Sequence, residues 1–258
     1  MAGLNVCVGI DAGTDTSKLG YSDDLSTRII ARLEGFNPVI LRENAEIFCD
    51  DPVFSCVIAV NSGIRHYDIS TKTLASGFRD TEIITAHEAM SLTLGDNGRA
   101  VVYDFGASRS EFVVFDGHDV IDCVNVPDVC GSSFDKVFAE YLADRKLLRA
   151  IDDRLLREAK RLKHILSEDE TRLWNNMEIL REDFERLIYF TVKRASHVME
   201  RLIRVHKPER IILTGGCANI PLVRKILIDE FGITPEIDFN VIVRGTSLKA
   251  FSLSREAI

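Results

Sequence analysis

The chain opens on an apolar run, NVCVGI at 5–10, followed by the polar DAGTDTSK and then by LGYS. That order predicts a strand, a glycine-containing turn and a second strand. CVIAV (56–60) is a short buried-strand pattern, EIIT (82–85) another, and HEAMSLTL (87–94) a helix closed by Gly95. Residues 68–78 are also compatible with a helix. From Tyr21 to about residue 52 the pattern is undecided, punctuated by Pro38 and Pro52. At 100–116, AVVYDFGASRSEFVVFD repeats the opening design: apolar run, Asp, glycine-containing turn, apolar run. DAGT at 11–14 and DFGA at 104–107 occupy matching places, which predicts a duplicated architecture.

The second half is mostly helical. Leu155, Leu156, Ala159, Leu162, Ile165 and Leu166 recur at three- and four-residue spacing over 150–166. A short strand is predicted near 171–179. From 180 to 206, Phe184, Leu187, Ile188, Val192, Ala195, Met199 and Leu202 trace one face of a long helix, with Arg and Glu on the solvated face. RIILTGGCANIPLVRKIL (210–227) reads as a strand entering Gly215-Gly216, then a helix opening near Asn219 with Pro221 in its first turn. A strand near 237–243 and a helix from Thr246 complete the expected order.

Composition narrows the class. With 258 residues, 46% hydrophobic and 28% charged, the chain can bury real cores. A formal charge of −8 argues against sequence-independent nucleic-acid binding, which depends on Lys and Arg contacts to phosphates. No apolar run approaches the ~20 residues of a membrane-spanning helix, and the first residues read as a strand rather than a secretory signal. The six cysteines form no CxxC and no close His pairing, so a zinc site is not expected and reduced thiols in a cytoplasmic-type compartment are.

Three glycine-bearing turns each follow an apolar strand, and such turns can present backbone N–H groups to phosphate oxygens. The third also opens a helix, where the dipole favours an anion. Asp11 and Asp104 end their strands at matching places. Two carboxylates beside a polyphosphate require an intervening divalent cation, and Mg²⁺ takes one or two carboxylates plus phosphate oxygens. The pair therefore points to a Mg-nucleotide; the alternative is that both are turn residues, a common place for Asp.

GIDAGTDTSKLGY, VVYDFGASRSEFVVFDG and IILTGGCANIPLVRKIL resemble the first phosphate loop, second phosphate loop and adenosine motif of the actin and seventy-kilodalton heat-shock chaperone superfamily. CGSSFDKVFAEYL, REAKRLKHILS and the helix from Met177 resemble the chaperones in particular. The likeness covers most of 4–20 and 99–250 and is poor between 21 and 80. It implies an α/β fold of two lobes, each ribonuclease H-like, closing on ATP or ADP with Mg²⁺. Lobe I would span 1–98, with a helix at 244–258 returning to it. Lobe II would span 99–243, with a helical subdomain at about 141–206.

By the same resemblance Asp11, Gly13, Thr14 and Asp15 would lie at the phosphates and hydrated metal. Asp104 would hold the metal's other side, with Gly106, Ala107, Ser108 and Arg109 forming the second loop. Gly131 would approach the phosphates or ribose, Lys163 and His164 would flank the ribose and adenine, and Gly215, Gly216 and Asn219 would pass under the nucleotide. The second loop departs from the family in reading Ala107, Ser108 and Arg109, and the chaperones' catalytic lysine has no counterpart between Tyr21 and Cys56. Their glutamate could be replaced only by Glu88, two residues out of step, which leaves Asp11, Asp104 and Glu88 as candidate catalytic groups. Arg109 is a candidate for the missing charge on the phosphates. The expected function is a chaperone-like, slow ATPase or nucleotide-dependent switch acting on a protein partner, without a separate peptide-binding domain. A small-molecule kinase of the same fold, and an actin-like filament or scaffold protein with a degenerate nucleotide site, are the alternatives.

Overall fold

The computed structural model describes residues 6–23, 26–49, 53, 55–60, 66–148 and 150–256; Pro52 lies outside them. Two compact units emerge. The first comprises Met1–Asn97, Phe115–Val120 and Phe239–Ile258, and the second Gly98–Val114 and Ile121–Asp238.

Unit 1 is built on β1 (Cys7–Ala12), β2 (Thr16–Ser22), β3 (Thr27–Glu34), α1 (Pro38–Cys49), β4 (Ser55–Val60), α2 (His66–Ala75), β5 (Asp80–Thr85) and α3 (Ala86–Leu94). Its sheet has the order β3-β2-β1-β4-β5. β2 runs antiparallel to both β1 and β3, while β4 runs parallel to β1 and β5. Val8, Ile10, Leu19, Ile58 and Leu41 fill its core with almost no exposure. The undecided stretch after Tyr21 holds β3 and α1, which Pro38 opens at a position where its missing N–H is harmless.

Unit 2 contains β6 (Arg99–Phe105), β7 (Ser110–Asp116), β8 (Asp119–Val126), α4 (Gly131–Arg145), α5 (Asp153–Glu168), β9 (Thr171–Trp174), β10 (Met177–Leu180), α6 (Arg181–His206), β11 (Arg210–Thr214), α7 (Pro221–Phe231) and β12 (Glu236–Ile237), the tip of the β7–β8 hairpin grouping with unit 1. The order of its sheet is β12-β11-β6-β7-β8, with β11 parallel to β6 and β12. In each sheet the first strand in sequence therefore lies in the middle, its two successors to one side. The repeat at 11–14 and 104–107 is a repeat of topology. Phe105 meets Phe134 edge-on at 5.6 Å and Phe138 meets Phe184 at 4.9 Å, joining sheet to helices. β9 and β10 form a hairpin turned by Asn175 and Asn176, both at positive φ, as a two-residue turn of matching twist demands.

One expectation is corrected. Residues 237–243 do not form a strand: β12 stops at Ile237 and α8 (Val241–Glu256) begins five residues before Thr246. The Asn240 carbonyl accepts the Arg244 N–H at 2.9 Å, closing a helical turn. Val241, Ile242 and Val243 are all buried, and an apolar run buried all round carries no period that separates strand from helix. α8 packs on β1, β2 and α3 within unit 1. Its Gly245 lies so close to α3 that a Cβ there would stand 1.7 Å from the Ala89 carbonyl oxygen.

Candidate functional site

In unit 1, β1 and β2 are joined by the tight turn through Gly13, Thr14 and Asp15. A Cβ at Gly13 would meet the Thr16 carbonyl oxygen at 2.4 Å, so the turn closes only around glycine. The strand register sets Asp11 opposite Lys18. Lys18 Nζ lies 3.6 Å from Asp11 Oδ2 and donates to the Phe239 carbonyl, with both side chains largely buried. Burial pushes the Asp11 carboxyl above its usual range, and the Lys18 charge opposes that shift without cancelling it. The outcome is a shielded carboxylate and ammonium side by side at the foot of the turn. Sequence reasoning missed Lys18, which the register sets across from Asp11 because four residues, 13–16, separate the paired Ala12 and Ser17.

The turn also forms one wall of a cavity of about 380 Å³, lined by Ala12, Gly13, Thr14, Phe36, Asp68, Ile69 and Lys72. Elsewhere in unit 1, Glu88 serves α3. Its Oε2 accepts the Thr85 backbone N–H at 2.8 Å and the Thr85 hydroxyl at 3.0 Å, while the Glu88 N–H donates to Thr85 Oγ1 at 3.1 Å. This reciprocal capping box commits the carboxylate to a helix start.

In unit 2 several of the anticipated residues converge. The Gly106 N–H donates to the Arg109 carbonyl at 3.1 Å, closing the turn after β6. The Gly106 and Ala107 carbonyls accept the Gly131 and Ser132 N–H groups at 3.0 and 2.7 Å, tying the start of α4 to that turn. Gly215, at φ +82°, brings the turn after β11 so close that a Cβ would lie 2.4 Å from the Phe105 carbonyl oxygen and 2.8 Å from Asp104 Oδ1. Cys217 Sγ donates to the Gly106 carbonyl at 3.6 Å. Asp104 is buried within this knot, whereas Ser108, Gly216 and Asn219 are exposed at its surface. A Cβ at Gly216 would meet nothing within 4 Å, leaving open space above it.

The basic residues of unit 2 are engaged by protein groups. Buried Lys163 lies 2.6 Å from Asp135 Oδ1 and donates to the Gly131 carbonyl at 3.1 Å. Burial raises the Asp135 carboxyl above the usual range, with Lys163 pulling the other way. Arg109 Nη2 stands 2.5 Å from Oε1 of the buried Glu111, so its guanidinium turns to a carboxylate of β7. His164 is exposed on α5. Asp135 and Glu111 were not anticipated. A lysine on the apolar face of α5 is the sequence signal for a buried carboxylate partner, though not for which one.

No protein-family model matches the chain. It is 25% identical to a chaperone protein HscA homolog of Rickettsia bellii, over 95% of this chain and 44% of that protein. The HscA homolog of Tolumonas auensis is 29% identical over 60% of this chain and 28% of its own length. HscA of Proteus mirabilis is 26% identical over 63% and 30% respectively. The chain thus spans less than half the length of these chaperones, and the resemblance to the Hsp70-like superfamily stands.

Proposed function

From this kinship with Hsp70-like chaperones, we propose that the chain is a Mg-nucleotide-binding, chaperone-like protein in which ATP and ADP set the state of a switch acting on a protein partner. On this reading its two units are the two halves of an actin-like fold. The observation that carries the proposal is the knot of unit 2. Two turns, 104–109 and 215–217, and the start of α4 at 131–132 meet at the end of the central strands, beside open space over Gly216. Crevices at the carboxyl ends of parallel strands, edged by glycine turns and a helix start, suit a phosphate-bearing ligand.

The residues fit the ligand class. A Mg²⁺ ion, when bound, would neutralise phosphate charge and polarise a phosphoryl oxygen. Asp104 is the carboxylate of the unit 2 knot that would face its water shell; in unit 1, Asp11 is the matching carboxylate, with Lys18 as a resident positive charge beside it. Gly216 leaves room for the sugar or base. Hydrolysis is expected to be slow or absent, because a general base must reach the attacking water. Of the candidate groups, Glu88 is committed to the cap of α3, Asp11 faces Lys18 and Asp104 is buried; Glu111 and Asp135 are likewise engaged by Arg109 and Lys163.

A single-turnover experiment with excess protein, trace γ-labelled ATP and Mg²⁺ tests the reading by following retention and phosphate release. Retention lost in Asp11→Ala and Asp104→Ala supports it, and retention without release identifies a switch rather than an ATPase. A wild-type chain that retains no nucleotide would end the proposal.

A further inference from the structure

The connection between α4 and α5 carries features that the fold does not require. At the end of α4 the Leu147 N–H donates to the Asp144 carbonyl at 3.1 Å and the Leu148 N–H to the Ala143 carbonyl at 2.9 Å. This helix stop needs a left-handed residue at Leu147, whose φ is +53°. Glycine fills such a position without steric cost, whereas a leucine is strained there. Nor does the side chain join the core, being 91% exposed. Leu148 and Ile151 are exposed in the same connection. With Glu140, Ala143, Asp144 and Ala150 they line an open cavity of about 350 Å³, near the small end of ligand cavities. Glu140 and Asp144 stand four residues apart on α4 and so share one face of it. Both are exposed, and among the described residues neither has an ion pair.

We propose that this cavity docks a segment of a partner protein in which one large apolar side chain is flanked by Lys or Arg. The anchor enters the cavity over Ala143, Leu147 and Leu148 form its apolar lip, and Glu140 and Asp144 take the flanking cations. Charge complementarity selects that occupant. A second copy would set like carboxylates against each other on a chain of formal charge −8, and an acidic segment would do the same. Exposed charge pairs add little affinity each but choose the partner, while the buried anchor supplies most of the binding. The inference stands apart from the nucleotide reading, since every residue it uses lies in unit 2 outside the knot.

The test uses fluorescein-labelled peptides, each with one Leu, Phe, Ile or Met between pairs of Lys, titrated with the full chain without nucleotide and read by fluorescence anisotropy. At least one should bind with a Kd below ~1 mM, and its counterpart with Glu in place of Lys should not. Glu140→Gln/Asp144→Asn should weaken binding roughly fivefold and flatten its salt dependence. Leu147→Gly should weaken it by a similar factor while holding or raising Tm, because glycine relieves the backbone. That variant separates docking from folding. No binding by any peptide, equal binding of the acidic counterparts, or variants that bind as wild type does overturn the assignment. A wild-type chain that light scattering shows as a dimer, and that Leu147→Gly makes monomeric, gives the surface to a second copy and overturns it as well.

Discussion

Replacing Lys163 by Met is the most direct way to ask what holds the knot of unit 2 together. The methionine fills most of the same space on the apolar face of α5, but it leaves Asp135 buried without its counter-charge and the Gly131 carbonyl without its donor. Breaking a buried pair from one side costs about 3–5 kcal/mol, far more than a surface pair would. For a chain of this size that corresponds to a fall in Tm of roughly 6–20 °C. The double variant Lys163→Met/Asp135→Asn removes the orphaned charge as well. It should recover most of the deficit, leaving a residue of about 1 kcal/mol from the lost bond to Gly131. The pH dependence has a definite sign. Burial already holds the Asp135 carboxyl above its unfolded value. Its contribution to folding is therefore fullest below the unfolded pKa and declines as pH rises through the folded one. Without Lys163 the folded pKa moves higher still, so the deficit of the single variant should be larger at pH 7.5 than at pH 4.5. Urea denaturation followed by circular dichroism at both pH values reads all three quantities. A deficit equal at both pH values, or a double variant no more stable than the single one, would refute the reasoning.

Other predictions address separate parts of the structure. Gly245→Ala drives a Cβ into the Ala89 carbonyl and should cost about 1–3 kcal/mol or prevent folding, seen as a lowered urea midpoint. Glu88→Ala should cost about 1 kcal/mol through the lost capping box while leaving nucleotide retention intact. A loss of retention without loss of stability would instead reinstate Glu88 as a site residue. Burial pushes Cys7 and Cys56 up to about 12. Iodoacetamide at pH 8 should therefore spare both in the native chain and label them only after denaturation.

What was legible in the chain, and what was not, follows from the range of the forces involved. The strands at 7–12 and 99–105 and their turns could be read because a short apolar run and a glycine are local signals. The identical strand order of the two sheets gives the DAGT and DFGA repeat its structural meaning. The start of α8 was misread because Val241, Ile242 and Val243 are buried on every side, and only their neighbours in unit 1 decide between strand and helix. Charge partners were the least visible. Arg109 in a phosphate-type turn invites a phosphate, yet Glu111 two residues later, on a strand otherwise reading as core, takes its guanidinium. Lys163 lies 32 residues from the Gly131 carbonyl it binds, and no periodicity announces that pairing.

The same reasoning separates binding from chemistry. A glycine turn offers backbone dipoles whatever its neighbours are, so affinity for phosphates survives many substitutions around it. Hydrolysis is less forgiving, because it needs one uncommitted base aimed at one water. In this chain Glu88, Glu111 and Asp135 each face a partner that a catalytic role would require them to leave. Leaving would uncap α3 in the first case and orphan a cation in the other two. Nucleotide state can still matter without turnover, since a ligand shifts a conformational equilibrium by its difference in affinity for the two states and not by its cleavage.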